Sequence, residues 1–455
     1  MAPKPPSKPA RASEPASRTL EQRRPGPGQQ SASDEAQETG WAFPVGMALA
    51  SVALAVYVKT AYPTVPGGDA GELCFASCCL AIAHPPGYPL FIMTGHLLTH
   101  LIPIGTPGFR VNCVSCACGA AAVLFFFLFC QRWFASRGLR FSSSLALLPA
   151  GLMAFAPLFW QYHTQAEVFS MNNMFICLQL LLLQMFAKAL YSQGGTSGGQ
   201  TEDDETPRHA RVRRIAAVGA FAVGLGFTNQ HTIIFFSAPV VLFVLGAPLL
   251  SGRGPSLLAP PTLLLLAGAF AAGLVPYWYL VYSANHAPLG TWGDQRSWKG
   301  LVRHVLRQEY GTFKLYSGSD AAKTSLLSWL ALYLSNLAAN SLGVGAALAV
   351  VGGGACVSSR RRDPVGALLV AALVFYWVVF HLLADLPSDD PTNLGIHMRF
   401  WMQAHIAALA LIVPGLACIL DALGHPYLLG DTPTSSSPSQ KGRVVEGGGD
   451  AVLAR

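Results

Sequence analysis

Charge is what this 455-residue sequence has least of: 12% of its residues are charged, 52% are hydrophobic and the mean hydropathy is +0.41, where a soluble globular chain carries about a quarter charged residues. A water-facing surface cannot be made from so little charge. Apolar runs of about 20 residues recur, which predicts membrane-spanning helices, since spanning strands would alternate over about ten. The sequence also lacks any Asn-x-Ser/Thr sequon, so glycosylation gives no marker of sidedness. A paired Cys/His framework is missing too. Cys74, Cys78, Cys79, Cys113, Cys116 and Cys118 lie in apolar helical sequence, where cysteine acts as a small hydrophobe. No metal ligand is predicted from them. The net charge of +7 is not a nucleic-acid footprint, because much of the basic excess sits in short loops between apolar runs.

Residues 1–40 are rich in Pro, Ser, Gln and charge, with too few large apolar side chains to offset the entropy of ordering, which predicts a disordered tail. They have no cleavable secretory signal, so the run at 42–58 acts as an uncleaved anchor. Lys4, Lys8, Arg11, Arg18, Arg23 and Arg24 place the tail in the cytoplasm by the positive-inside rule. Further runs at 110–130, 141–158, 167–190, 212–228, 231–249, 258–282, 323–352, 364–382 and 398–420 bring the total to about ten spans. Alternating them sends Arg132/Arg137/Arg140, Arg208/Arg211/Arg213/Arg214, Arg253 and Arg360/Arg361/Arg362 to the side of the tail. The transmembrane core is then 41–420, with loops 59–109 and 283–320 on the far side and a second disordered cytoplasmic tail at 421–455.

The same alternation gathers the unusual polar groups on that far side. Pro66-Gly67-Gly68-Asp69-Ala70-Gly71-Glu72-Leu73 and His84-Pro85-Pro86-Gly87-Tyr88-Pro89 form a polar island after the first span. Asp69 and Glu72 have capping-box spacing, so a local role stays open beside a chemical one. A carboxylate at mid-bilayer costs about 2.5–3.5 kcal/mol even on the lenient insertion scale, so both are expected at the water boundary or in a protein-lined cavity. Glu167, after His163 and Gln165, is either an acid at a helix start or a complement to the helix dipole. Asn229-Gln230-His231 either bonds a sugar or forms a connection. Trp292-Gly293-Asp294 joins an aromatic face to a carboxylate, a pairing that suits carbohydrate, though tryptophan also marks membrane interfaces. Loop 283–320 breaks the charge sorting with Arg296, Lys299, Arg303, Arg307 and Lys314, which fits an anionic ligand or an amphipathic interfacial helix. Arg399, a lone guanidinium entering an apolar helix, either pairs with a phosphate or snorkels to the interface.

Gly67-Gly68-Asp69-Ala70-Gly71-Glu72-Leu73, Ala83-His84-Pro85-Pro86-Gly87-Tyr88-Pro89-Leu90, Arg110-Val111-Asn112, Gln165-Ala166-Glu167-Val168-Phe169-Ser170-Met171-Asn172-Asn173, Asn229-Gln230-His231-Thr232, Trp292-Gly293-Asp294-Gln295 and Glu309-Tyr310-Gly311-Thr312-Phe313 occur in this order in one membrane-protein family. Over residues 41–420 the chain resembles the transmembrane protein O-mannosyltransferases that act on IPT domains of plexin and MET-type receptors. The resemblance implies a C-type (GT-C) glycosyltransferase of the endoplasmic reticulum membrane. Its fold would be an all-α polytopic bundle of about ten transmembrane helices with a lumenal catalytic first loop. It would move mannose from dolichyl-phosphate mannose to Ser or Thr. In that fold class an acidic residue of the first lumenal loop stands at the catalytic centre, and Asp69 occupies the matching position. Such proteins continue past the helix at 398–420 into another span and a repeat-containing lumenal domain, which this chain is expected to lack.

Transfer from a lipid phosphate to a hydroxyl needs a base, stabilisation of the departing phosphate, and exclusion of water. Asp69 is assigned the base, with Glu72 positioning it or the acceptor. His84, Arg303 and Arg399 are the candidates for the donor phosphate. Glu167, His163, Asn229, His231, Trp292 and Asp294 are candidate contacts to sugar or acceptor. Direct in-line displacement predicts inversion at the anomeric carbon. No cofactor beyond the donor lipid is predicted, and a divalent-metal requirement stays open. The competing readings are a lipid-linked-sugar transporter or flippase and an inactive truncated isoform. Polar groups clustered at one face, with no clear internal repeat, favour the enzyme over the transporter.

Overall fold

The computed structural model describes residues 27–191, 202–252, 254–255, 257–286, 290–309, 324–358, 363–384 and 390–424, with backbone alone at 27–39 and 202–206. The tails before 27 and after 424, Arg253, Arg360 to Arg362 and the motif residues 310–313 lie outside the described residues.

Helix Pro27–Thr60 (α1) contains the predicted first span and turns Trp41, Phe43 and Val52 outward, a surface suited to lipid. Ala70–Cys79 (α2) and Pro89–Leu101 (α3) fill the predicted first loop, and the chain re-enters the bundle through Pro107–Ser136 (α4). Pro107 occupies the first turn of α4, and Thr106 Oγ1 accepts a bond from the Phe109 amide at 3.2 Å, two standard start signals acting together. Ser142–Phe155 (α5) and Pro157–His163 (α6) follow each other with a bend of 63°. Pro157 sits at the bend, where it cannot donate to a continuing helix.

The remaining helices are Val168–Tyr191 (α7), Glu202–Asn229 (α8), Ile234–Ser251 (α9), Pro260–Gly273 (α10), Trp278–Asn285 (α11), Trp298–Val305 (α12), Leu326–Asn340 (α13), Val344–Ser358 (α14), Pro364–Leu383 (α15), Pro391–Phe400 (α16), Met402–Ala410 (α17) and Ile412–Ala422 (α18). Among the described residues there is no strand. Among the described residues, seven segments are long and apolar enough to cross a bilayer, and nine if each bent pair counts as one span. The tenth predicted run, 212–228, lies in α8, whose first half carries Arg208, Arg211, Arg213 and Arg214 and lowers its apolar character. The run 323–352 is not one straight span. It turns by 120° between α13 and α14, at Ser341-Leu342-Gly343, where Leu342 and Gly343 both have positive φ.

Helices α4 and α7 pack along each other at the centre, and both are largely buried. Phe126, Phe127, Phe129, Trp133 and Phe134 of α4 meet Ile176, Leu180 and Leu183 of α7 in one continuous core. Helices α1 and α5 cover α4, α8 and α17 cover α7, and α14 packs on α18. The last pair touches backbone to backbone: a Cβ at Gly352 would lie 1.8 Å from the Leu411 carbonyl oxygen. Small residues at such a crossing are what membrane helices need to approach closely.

The two ends of the bundle differ in chemistry. At one end Arg137 pairs with Asp363, the N-cap of α15, which also accepts from Trp133 Nε1 at 3.2 Å and the Gly366 amide at 3.0 Å. Arg208 Nε bonds the Ala189 carbonyl near the end of α7 at 3.0 Å. At the other end stand the connections 61–69, 164–167 and 229–233, together with α2, α3, α12 and α16.

Candidate active site

Asn112, near the start of α4, ties that second end together. Its Nδ2 donates to the carbonyls of Tyr62 (2.8 Å) and Thr64 (3.0 Å), and its Oδ1 accepts from the Ala166 amide at 2.8 Å. One buried amide thus fixes the segment before Asp69 against the segment before Glu167. Ser115 Oγ adds a bond to the Glu167 carbonyl at 3.2 Å, and Asn229 Nδ2 reaches the Val168 carbonyl at 2.9 Å.

Asp69 stands at the N-cap of α2, but its backbone is already helical (φ −73°, ψ −10°) and its side chain makes no capping bond. The capping-box spacing is therefore not used as a cap. The Asp69 carboxylate turns instead to Arg399 of α16, with Nη1 to Oδ2 at 3.1 Å, and the same nitrogen lies 3.5 Å from Glu167 Oε1. The guanidinium is flanked by the rings of Phe169 and Phe400, at 5.2 and 5.7 Å to their centroids. Burial pushes the Glu167 carboxyl up to about 7, against the opposing pull of Arg399 and with the Asp69 charge adding to the rise. Burial alone would weaken the Arg399 cation, yet Glu167 and Asp69 hold its pKa above the ordinary value.

Glu72 serves a different partner. Its Oε1 accepts from the His84 amide and its Oε2 pairs with His84 Nδ1, both at 2.6 Å, while His84 Nε2 meets the Tyr88 hydroxyl at 2.9 Å.

These groups open onto a cavity of about 130 Å³ lined by Asp69, His84, Pro86, Tyr88, Val168, Phe169, Gln230, His231, Thr232, Arg307, Ile396, Arg399 and Phe400. His231 Nε2 lies 2.6 Å from the Tyr277 hydroxyl, which donates to the Phe227 carbonyl at 2.8 Å. That network puts the imidazole hydrogen on Nε2 and leaves Nδ1 as an acceptor. Arg307 follows the end of α12 in the left-handed region (φ 54°), and its Nε is buried without a hydrogen-bond partner. Among the described residues no carboxylate pairs with it. The cavity thus offers an acid, imidazoles and a cation that no carboxylate among the described residues pairs with, which suit a hydroxyl, a sugar and an anion side by side.

Of the residues singled out in the sequence, Asp69, His84, His231 and Arg399 line this cavity, and Glu72 and Glu167 contact those that do. The others lie elsewhere. His163 is buried against Tyr57, Phe159 and Gly119, Asn229 is an internal strut, and Arg303 points outward. Asp294 is exposed and pairs with Arg296 at 2.8 Å, while the Trp292 amide bonds the Ile82 carbonyl at 3.0 Å. The site also recruits Tyr88, Phe169, Gln230 and Arg307, to which the sequence reading gave no individual role. Tyr88 and Gln230 stand inside quoted motifs, the signal that could have found them. For Arg307 the sequence offered a basic loop and no means of choosing among its cations.

Residues 69–247 match the family model described as the protein O-mannosyl-transferase TMEM260 N-terminal domain. The protein O-mannosyl-transferase tmem260 of Dictyostelium discoideum is 30% identical over 390 residues, covering 84% of this chain and 45% of that protein. The protein O-mannosyl-transferase TMEM260 of Mus musculus is 35% identical over 380 residues, covering 82% of this chain and 49% of that protein. The chain spans about half the length of these curated relatives. Among solved structures, ArnT from Cupriavidus metallidurans in the apo state superposes with a TM-score of 0.53 at 14% identity, covering 85% of this chain and 61% of that one. At that identity the likeness concerns the fold alone, which is the GT-C-like helical bundle. Over these stretches the chain is similar to the TMEM260 protein O-mannosyl-transferases, and residues 69–247 match their N-terminal domain.

Proposed function

We propose that this chain is the transmembrane core of a protein O-mannosyltransferase. It takes mannose from dolichyl-phosphate mannose and places it, with inversion, on Ser or Thr of IPT domains in plexin and MET-type receptors. The cavity faces the lumen of the endoplasmic reticulum and the N-terminus lies in the cytoplasm. The observation that carries this reading is the Asp69 carboxylate: free of a capping role, held by Arg399, and at the wall of a cavity that also presents His84 and Arg307. The relatives' names support the reaction class, and the ordered motifs support the donor and acceptor.

Asp69 takes the proton of the incoming hydroxyl. Arg307 meets the donor phosphate, His84 borders the same cavity, and His231 Nδ1 accepts from a sugar hydroxyl. Arg399 is committed to two carboxylates and holds Asp69 in place. The arginine-rich end of the bundle supports the sidedness, since positive connections stay cytoplasmic.

The test is transfer of radiolabelled mannose from dolichyl-phosphate mannose to a purified IPT domain by membranes containing the 455-residue chain, with dolichyl-phosphate glucose as the competing donor. Labelled IPT domain that survives excess dolichyl-phosphate glucose is the expected outcome. Well-expressed chain that labels no IPT domain overturns the reading.

A further inference from the structure

We propose that Tyr88 is a catalytic residue of the transfer, delivering a proton to the departing phosphate along a chain that begins at Glu72 and passes through His84. This rests on the sugar-phosphate transfer proposed above and adds to it the group that meets the leaving oxygen.

Three contacts define the chain. Glu72 fixes the imidazole at two points, through the His84 amide and through Nδ1, both at 2.6 Å. With its amide and ring both tied to one carboxylate, His84 can direct Nε2 only at the Tyr88 hydroxyl, 2.9 Å away. Both His84 and Tyr88 border the cavity that holds Asp69 and Arg307.

The backbone is bent to make this arrangement. Tyr88 sits in the left-handed region (φ 46°) just before α3, a conformation uncommon for any residue but glycine and retained where surrounding structure enforces it, often at functional sites. Gly87 before it has φ 92°, and a Cβ there would meet Leu280 Cδ2 at 2.8 Å and His304 Nε2 at 3.1 Å. The turn is thus wedged against α11 and α12, and the phenol is held in place.

In the transfer, the oxygen of the acceptor hydroxyl forms its bond to the anomeric carbon while its proton passes to Asp69. The bond from that carbon to the phosphate oxygen breaks, and its electron pair stays on the phosphate. Tyr88 gives its hydroxyl proton to that oxygen, and the proton on Nε2 of the His84 imidazolium replaces it. Neutral His84 then keeps its Nδ1 hydrogen on Glu72. After the products leave, the proton on Asp69 returns through water to His84, so the cycle consumes and releases no net proton.

Tyr88→Phe, His84→Gln and the double variant test this with the 455-residue chain in membranes. Loss of general-acid assistance is expected to lower kcat about 100-fold or more in each single variant, with the KM for dolichyl-phosphate mannose within about threefold of wild type, as for an interaction realised in the transition state. The double variant is expected to lose little beyond either single one, because the two side chains act as one unit. Glu72→Gln, which keeps the volume and removes the charge, is the second probe and is expected to lower kcat without raising KM. An active wild type with kcat preserved in Tyr88→Phe overturns the inference and leaves the transfer reading standing, as do single-variant losses that multiply in the double. A wild type that moves no mannose removes both.

Discussion

Nη1 of Arg399 lies 3.1 Å from Oδ2 of Asp69 and 3.5 Å from Oε1 of Glu167, joining α16 to the first loop across 330 positions of sequence. One cation therefore faces two carboxylates, and their surroundings separate their roles. The Asp69 side chain is 39% exposed and that of Glu167 only 3%. Water eases the charge on Asp69, whereas Glu167 carries the cost of desolvation. Burial therefore raises the Glu167 carboxyl to about 7, while Asp69 stands at the open wall of the cavity.

Stability should consequently depend on pH through Glu167. Its carboxyl titrates at the ordinary 4.5 in the unfolded chain and at about 7 in the folded protein. Its contribution is fully present below the unfolded value and is lost as pH rises through the folded one, a total of roughly 3 kcal/mol. Glu167→Gln should flatten that part of the curve. Thermal midpoints in detergent between pH 5 and 8 measure it, and an unchanged slope in the variant contradicts the assignment.

Arg399→Met should destabilise the protein by about 3–5 kcal/mol at neutral pH, the usual cost of removing one partner from a buried ion cluster. The loss should shrink toward pH 5, where a protonated Glu167 no longer needs a cation. Adding Glu167→Gln to Arg399→Met should recover part of the loss at pH 7. Denaturant unfolding of the single and double variants measures this coupling, and strictly additive losses argue against a shared cation.

The two arginines at the end of α12 should behave differently. Arg307→Gln is expected to raise the KM for dolichyl-phosphate mannose about 10- to 100-fold, the value of a charge-assisted contact to phosphate. Arg303→Gln, on the exposed side, is expected to stay within about twofold, as for a surface substitution. Donor titrations on both variants decide the matter. Equal effects would place the phosphate somewhere other than the cavity.

Much of this arrangement was legible in the sequence. Asp69 stood out as a carboxylate among glycines in an apolar chain, and Arg399 as a lone guanidinium. Their contact was not legible, because nothing local links positions so far apart. Capping-box spacing misdirected the local reading, since it contained no sign that Glu72 would bind His84, twelve residues later, in preference to the helix start. His163 carries the right chemistry in the wrong place: the gap beside Gly119 admits its ring to the core. Among the cations of the basic loop, selection came from the end of α12 at Val305 and the left-handed turn at Arg307. The spans followed from hydropathy, but the turn within 323–352 came from backbone geometry that an apolar run conceals.

The most direct test of the central claim, that Asp69 is the base in the cavity, is mannose transfer by Asp69→Asn measured beside its thermal midpoint. The substitution keeps the shape and removes the base, while Glu167 stays as a carboxylate partner of Arg399, and the midpoint shows how much of any loss is stability. The expected result is a fall in kcat of about 10²–10⁴-fold, the range for a lost general base, in chain that remains folded at the assay temperature. Transfer at the wild-type rate by a well-expressed Asp69→Asn chain would contradict the account.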